Sequence, residues 1–175
     1  MNDNESAPII RGRSKEFQDV RDFHQKFELL CFDNPARLTK RKLRERIEFL
    51  QEELNEFAEG CGLFIDVEPT VSGPRVEVTD GELSNPIPQD LAKQADALVD
   101  LVYVALGTAV MLGLPWDWLW DDVQRANMAK VRGMTKRGYA VDVTKPPGWQ
   151  GPQTPRILDL AGYDQKEAHR DDTER

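Results

Sequence analysis

The chain has 175 residues, and its 31 acidic and 23 basic side chains leave a formal charge of −8. That length suffices for one domain with a real core, and the acidic balance argues against a phosphate-backbone binder, so no nucleic acid partner is expected. Cys31 and Cys61 form neither a metal-ligand spacing nor a disulfide framework, and the polar N-terminus lacks the apolar core of a signal peptide, which points to a soluble cytoplasmic protein.

Residues 1–14 carry no periodic pattern and read as a flexible arm. Phe17, Val20, Phe23, Phe27 and Leu30 then recur at helical spacing, predicting a first helix over about 15–31 that Asp33-Asn34-Pro35 stops. A second helix is expected from about Thr39 to Glu59, with a core stripe of Leu43, Ile47, Leu50, Leu54 and Phe57. Gly60 ends it. The next thirty or so residues hold no helical pattern, but Phe64–Val67 and Arg75–Val78 alternate around Ser72-Gly73-Pro74, as a β-hairpin does. A long insertion of this kind usually has a function, such as a lid or an oligomer contact.

The third helix, about Gln89 to Leu112, is the least polar part of the chain and is expected to be central and buried on most sides. Its most apolar run, Ala97 to Leu112, contains Asp100 and is short for a membrane span, so no membrane partner is expected. Gly113-Leu114-Pro115 leads into a fourth helix from about Trp116 to Val131. Trp118, Leu119, Val123 and Ala126 would pack inward. Asn127 and Lys130 share a second stripe with Val123, and spacing alone fits either a phosphate-holding pair or a solvated helix end. A basic loop with Lys136, Arg137 and Lys145 follows, and residues 151–175 read as a tail whose last part, from Gln165, is polar enough for disorder.

The chemistry is carried by acids. Glu52, Glu53 and Glu56 lie within a ~100° arc of the second helix, with Glu53 at the edge of its apolar stripe. Asp96 and Asp100 lie one turn apart, ~40° offset, on the third. Carboxylates crowded beside a core are costly unless something positive compensates, and hard divalent cations take such oxygens as ligands. The alternative is a solvated acidic face on the second helix, with Asp96 paired to Lys93 and Asp100 held by a buried salt bridge or cap on the third.

These pieces resemble the MazG-like all-α NTP pyrophosphatase superfamily, over roughly residues 17–150. Its signature is Glu-x-x-Glu on one helix and Glu-x-x-Asp on the next. Glu53-Leu54-Asn55-Glu56 matches the first half, Glu52 is the extra acid often seen before it, and Asp100 matches the last position of the second. The Glu expected three before Asp100 is Ala97, and Asp96 stands beside it as a shorter substitute. Val123–Lys130 looks like the family's phosphate-contacting segment, and Lys145-Pro146-Pro147-Gly148-Trp149 is similar to the closing Lys-Pro-x-Gly-Trp of phosphoribosyl-ATP-pyrophosphohydrolase-like members.

The resemblance implies an all-α, four-helix bundle of MazG type with a hairpin-like insertion at about 60–90, the catalytic domain covering 15–150. It implies hydrolysis of a nucleoside triphosphate to a monophosphate and pyrophosphate, with two or more Mg²⁺ or Mn²⁺ ions. Glu53, Glu56 and Asp100 would be principal ligands, with Glu52 and Asp96 completing the set, and Glu52 or Glu53 would be the general base. Asn127, Lys130, Lys145 and Arg137 would hold phosphates, and His24 would either meet the base or pack structurally. Compact phage members of MazZ type act on dGTP, so dGTP or GTP is the expected substrate and the host cytoplasm the expected location. The rivals are a dUTP, dCTP or damaged-nucleotide sanitiser and a non-catalytic nucleotide-sensing bundle, the latter favoured by Ala97. The apolar third helix and several tryptophans lead us to expect a homodimer or homotetramer.

Overall fold

A computed structural model describes residues 14–70, 73–80, 87–133 and 142–163. The chain divides into two contact units, one made of residues up to Arg37 together with those from Ala109 onward, the other of Leu38–Thr108.

In the first unit, α1 (Lys15–Lys26) starts at Ser14, whose hydroxyl accepts a hydrogen bond from the Phe17 N–H at 3.0 Å. Phe17 and Val20 are buried in the unit's core with Val110, Met111, Ala126 and Ala161. The helix ends before the expected Cys31. Glu28 adopts a left-handed φ of 54°, and the Leu29 N–H turns back to the His24 carbonyl at 2.8 Å, a helix end closed by local hydrogen bonds. Next comes α4 (Trp116–Met128), with the Trp116 ring stacked on Phe17 at 6.0 Å. Gly113, at φ 61°, makes the turn before it, and a Cβ there would lie 2.1 Å from the Asn34 carbonyl oxygen. α4 stops short of Val131 because the chain enters β3 (Val131–Gly133), which pairs antiparallel with β4 (Asp142–Thr144). α5 (Thr154–Leu160) lies in the stretch expected to be tail.

In the second unit, α2 (Lys40–Gly60) is capped by Thr39, whose hydroxyl accepts from the Lys42 N–H at 3.2 Å. The expected hairpin is present and longer than its alternating residues suggested: β1 (Phe64–Thr70) pairs antiparallel with β2 (Gly73–Thr79), Val67 opposite Val76. α3 (Leu91–Met111) follows, with its last residues in the first unit. Asp90 caps it, one carboxylate oxygen accepting from the Ala92 and Lys93 N–H groups at 3.0 and 3.2 Å.

The chain is mainly helical, but among the described residues five helices and two antiparallel strand pairs replace the expected four-helix count. The expectation for α3 is also corrected. Ala97, Leu106, Ala109 and Val110 are buried, while Leu98, Val99 and Val102 are exposed, Val99 by 64 %. The α2 stripe is open too, Ile47 being 65 % exposed. Both helices present apolar surface that the single chain leaves uncovered. At 21 residues α3 is long and apolar enough, by length and composition alone, to cross a membrane, a test that the core helix of a soluble protein also passes. Asp96 and Asp100 within it suit an aqueous site better than lipid.

Candidate active site

The two acid-bearing helices are fastened to each other at both ends within one unit. At one end the Gln94 side-chain amide donates to the Gly60 carbonyl at 2.9 Å, and Lys93 Nζ lies 2.6 Å from a Glu59 oxygen. At the other, Arg46 donates through Nη2 to the Val104 carbonyl at 2.7 Å and through Nε to Thr108 Oγ1 at 3.0 Å, with Phe49 under the guanidinium. Burial draws the Arg46 pKa below its ordinary value. This antiparallel register sets Glu53 level with Asp100, and Glu56 near Asp96 and Ala97.

The electrostatics carry the mark of that register. Glu53 is half-buried, and its carboxyl is pushed above the usual range, first by burial and then by the charges of Asp100, Glu56, Glu52 and Asp96. Every acid of the expected set therefore acts on this one group, and two of the four reach it from the facing helix. The other four are exposed. Asp96 and Asp100 are thus not the buried pair that an apolar α3 led us to expect, and Lys93 pairs with Glu59 rather than with Asp96. Glu59 follows Glu56 by less than one turn, a position the pattern around Glu52 gave no reason to single out.

Among the described residues, no three His, Cys, Asp or Glu side chains converge closely enough to hold a metal as they stand. The donor chemistry nonetheless fits Mg²⁺ or Mn²⁺: the oxygens are carboxylates, and the charge crowding on Glu53 is what a bound cation relieves. Glu53, Glu56 and Asp100, with Glu52 and Asp96, are the residues that would hold it.

The other unit gathers the expected phosphate-binding residues around one indole. Trp149 donates its Nε1–H to the carbonyl of Ala126, the buried residue of α4, at 2.7 Å. Lys145 Nζ lies 4.5 Å from the ring centroid and Lys130 Nζ 6.0 Å. Lys130 also donates to Asn127 Oδ1 at 2.9 Å. Asn127, Lys130 and Lys145 thus form one cationic group, with Trp149 the member whose role spacing did not reveal. Arg137 lies outside the described residues. His24 is buried, and its Nδ1 lies 2.8 Å from the Leu30 carbonyl, so it closes the end of α1 and packs against Phe23.

Comparison with curated proteins gives no match. The family model for phosphoribosyl-ATP pyrophosphohydrolase matches residues 20–127, a span that holds all five acids and Asn127 but ends before Lys130, Lys145 and Trp149. That family lies within the MazG-like superfamily and is helical, as the described elements are. The match covers more than half of the sequence, and the chain belongs to the phosphoribosyl-ATP pyrophosphohydrolase family, whose members hydrolyse the pyrophosphate bonds of nucleotides.

Proposed function

We propose that this protein is a divalent-metal-dependent pyrophosphohydrolase of nucleoside triphosphates that releases a monophosphate and pyrophosphate, with dGTP or GTP as preferred substrate. The observation that carries the reading is the raised proton affinity of Glu53 under the charges of four other carboxylates from α2 and α3. A carboxyl held above the ordinary glutamate range keeps the proton affinity that a general base uses. When bound, the metal supplies positive charge that offsets the triphosphate and lowers the pKa of an attacking water.

The chain's own residues divide the remaining work. Glu53, Glu56 and Asp100, with Glu52 and Asp96, provide oxygens for the cation, and Glu52 or Glu53 takes the water's proton. Lys130 and Lys145 neutralise phosphate charge, and Asn127 orients an oxygen through its amide. The exposed apolar residues on α2, α3 and the hairpin, Ile47, Val99 and Val76 among them, support assembly into a homodimer or homotetramer. The cytoplasm, the host's if the gene is phage-borne, suits an enzyme that acts on the nucleotide pool.

The test is a panel of ribo- and deoxynucleoside triphosphates, including dUTP, dCTP and oxidised bases, incubated with Mg²⁺ or Mn²⁺ and assayed for pyrophosphate. Release from dGTP fastest supports the reading. Fastest release from dUTP, dCTP or a damaged nucleotide would assign the sanitising role instead. Binding without release from any of them would leave a nucleotide-sensing bundle.

A further inference from the structure

A cleft of about 710 Å³ opens in the same unit as the acids, lined by Glu59, Phe64, Ile87, Gln89, Leu91 and Lys93 among others. It sits where the hairpin leaves α2 and where α3 begins, so Phe64 and residues 87–90 supply one wall and the helix pair the other. We propose that this cleft binds the sugar and base of the nucleotide, and that Phe64 of β1 and residues 87–90 before α3 select the base. The proposal rests on the pyrophosphohydrolase reading and deepens it.

Three observations converge on that occupant. The first is distance along shared elements. Glu59 and Lys93 lie six or seven residues from Glu53 and Asp100 on the same two helices, about 10 Å along the axis. That is the length of a nucleoside from its 5′ oxygen to the far edge of its base. A triphosphate held at Glu53 can therefore lay its nucleoside in the cleft without leaving the helix pair. The second is volume, which lies in the ordinary range of small-molecule sites.

The third is the lining. Phe64, Ile87, Pro88 and Leu91 provide an aromatic and aliphatic surface for a heterocycle. The charged members are two acids, Glu59 and Asp90, and one base, Lys93, which Glu59 already engages at 2.6 Å. The hydrogen bond from Lys93 to Glu59, and the fields of Glu59, Glu56 and Asp90, hold its pKa above the ordinary lysine value. The single cation of the lining is already paired to Glu59, so the cleft offers phosphate no open partner and suits the uncharged end of the nucleotide. Its carboxylate oxygens and the Gln89 amide suit a base edge that carries N–H donors, as guanine does.

The experiment titrates full-length protein, with Mg²⁺ present, with the non-hydrolysable α,β-methylene analogues of dGTP, dATP, dCTP and dTTP, and with inorganic tripolyphosphate. Wild type is compared with Phe64→Ala and Gln89→Ala. Both side chains sit at the surface, and circular dichroism checks their folding. Phe64→Ala should raise the Kd of the best-bound analogue about 5- to 100-fold, the loss expected for one stacked base, and compress the differences among bases. Gln89→Ala should change their ranking. The affinity for tripolyphosphate should stay unchanged in both. Analogue affinities and ranking that both variants leave at wild-type values would overturn the proposal, as would an equal loss for tripolyphosphate or a wild type that binds no analogue. Wild type that binds with base preference yet hydrolyses no triphosphate would instead sink the catalytic reading and leave the cleft assignment standing.

Discussion

Glu53 concentrates the chemistry at the scale of a single side chain. Its raised pKa means that the folded chain holds a proton there more tightly than the unfolded chain does. In that window the native state binds more protons, so stability of the metal-free protein falls as pH rises from the ordinary glutamate value through the folded one. Glu53→Gln should therefore have two opposite effects. It should lower kcat/KM by about 10²- to 10⁴-fold, as expected for loss of a general base, and raise the metal-free melting temperature, since each like-charge neighbour costs a few tenths of a kcal/mol. Steady-state pyrophosphate release and thermal unfolding in chelator measure the two. Retained turnover would remove Glu53 from the mechanism.

Packed elements set two further expectations. Gly60 sits where α2 meets the start of α3, and a Cβ there would lie 2.9 Å from the Gln94 backbone nitrogen. Gly60→Ala should destabilise the protein by about 1–3 kcal/mol, the usual cost of overpacking, visible as a lower urea midpoint. In the other unit, Asp122 ties α4 to α5. It accepts from the Gln153 backbone N–H through one oxygen and from Arg125 Nε and Nη2 at 2.9 and 2.7 Å through the other. The Gln153 N–H first, then Arg125, holds its carboxyl below the ordinary aspartate value. This contribution is complete above the unfolded pKa, about 3.9, and is lost as pH falls through the folded one. Protection factors of the amides in Thr154–Leu160, taken against the intrinsic exchange rate at each pH, should fall at acid pH, and Asp122→Ala should show the lower protection already at neutral pH. The turn that carries Trp149 belongs to this scale too. Trp149→Phe keeps a ring beneath Lys145 but loses the Nε1–H to Ala126, and Trp149→Leu loses both. KM for the triphosphate should rise in the order wild type, Phe, Leu, with kcat changing less; unchanged KM in both variants would remove the lysine group from substrate binding.

For the whole molecule, chelator should stop turnover, and Mg²⁺ or Mn²⁺ should restore it. The cation should also raise the melting temperature of wild type, since it binds the folded state, and raise that of Asp100→Asn less. The uncovered stripes on α2 and α3 lead to a matching expectation for assembly. Sedimentation should report a dimer or tetramer, and Ile47→Asp, which places a charge on the most exposed α2 stripe residue, should shift it toward monomer.

How much of this was legible in one dimension follows from the range of each interaction. The extents of α2 and α3 and the hairpin around Gly73 are local patterns, written within a few turns of chain, and these elements form close to where the spacing puts them. The family match, over residues 20–127, spans the same stretch. Other features depend on which element lies against which. Glu28 ends α1 because a left-handed residue lets Leu29 reach back to His24. Lys93 meets Glu59 across the helix pair, not Asp96 on its own helix, since the antiparallel register decides its nearest carboxylate. Trp149 collects lysines from both sides of a strand pair, and the cleft beside α3 forms from three separate segments. Residue types and periods encode which groups a chain possesses; register and packing, which are long-range in sequence, decide which of them meet.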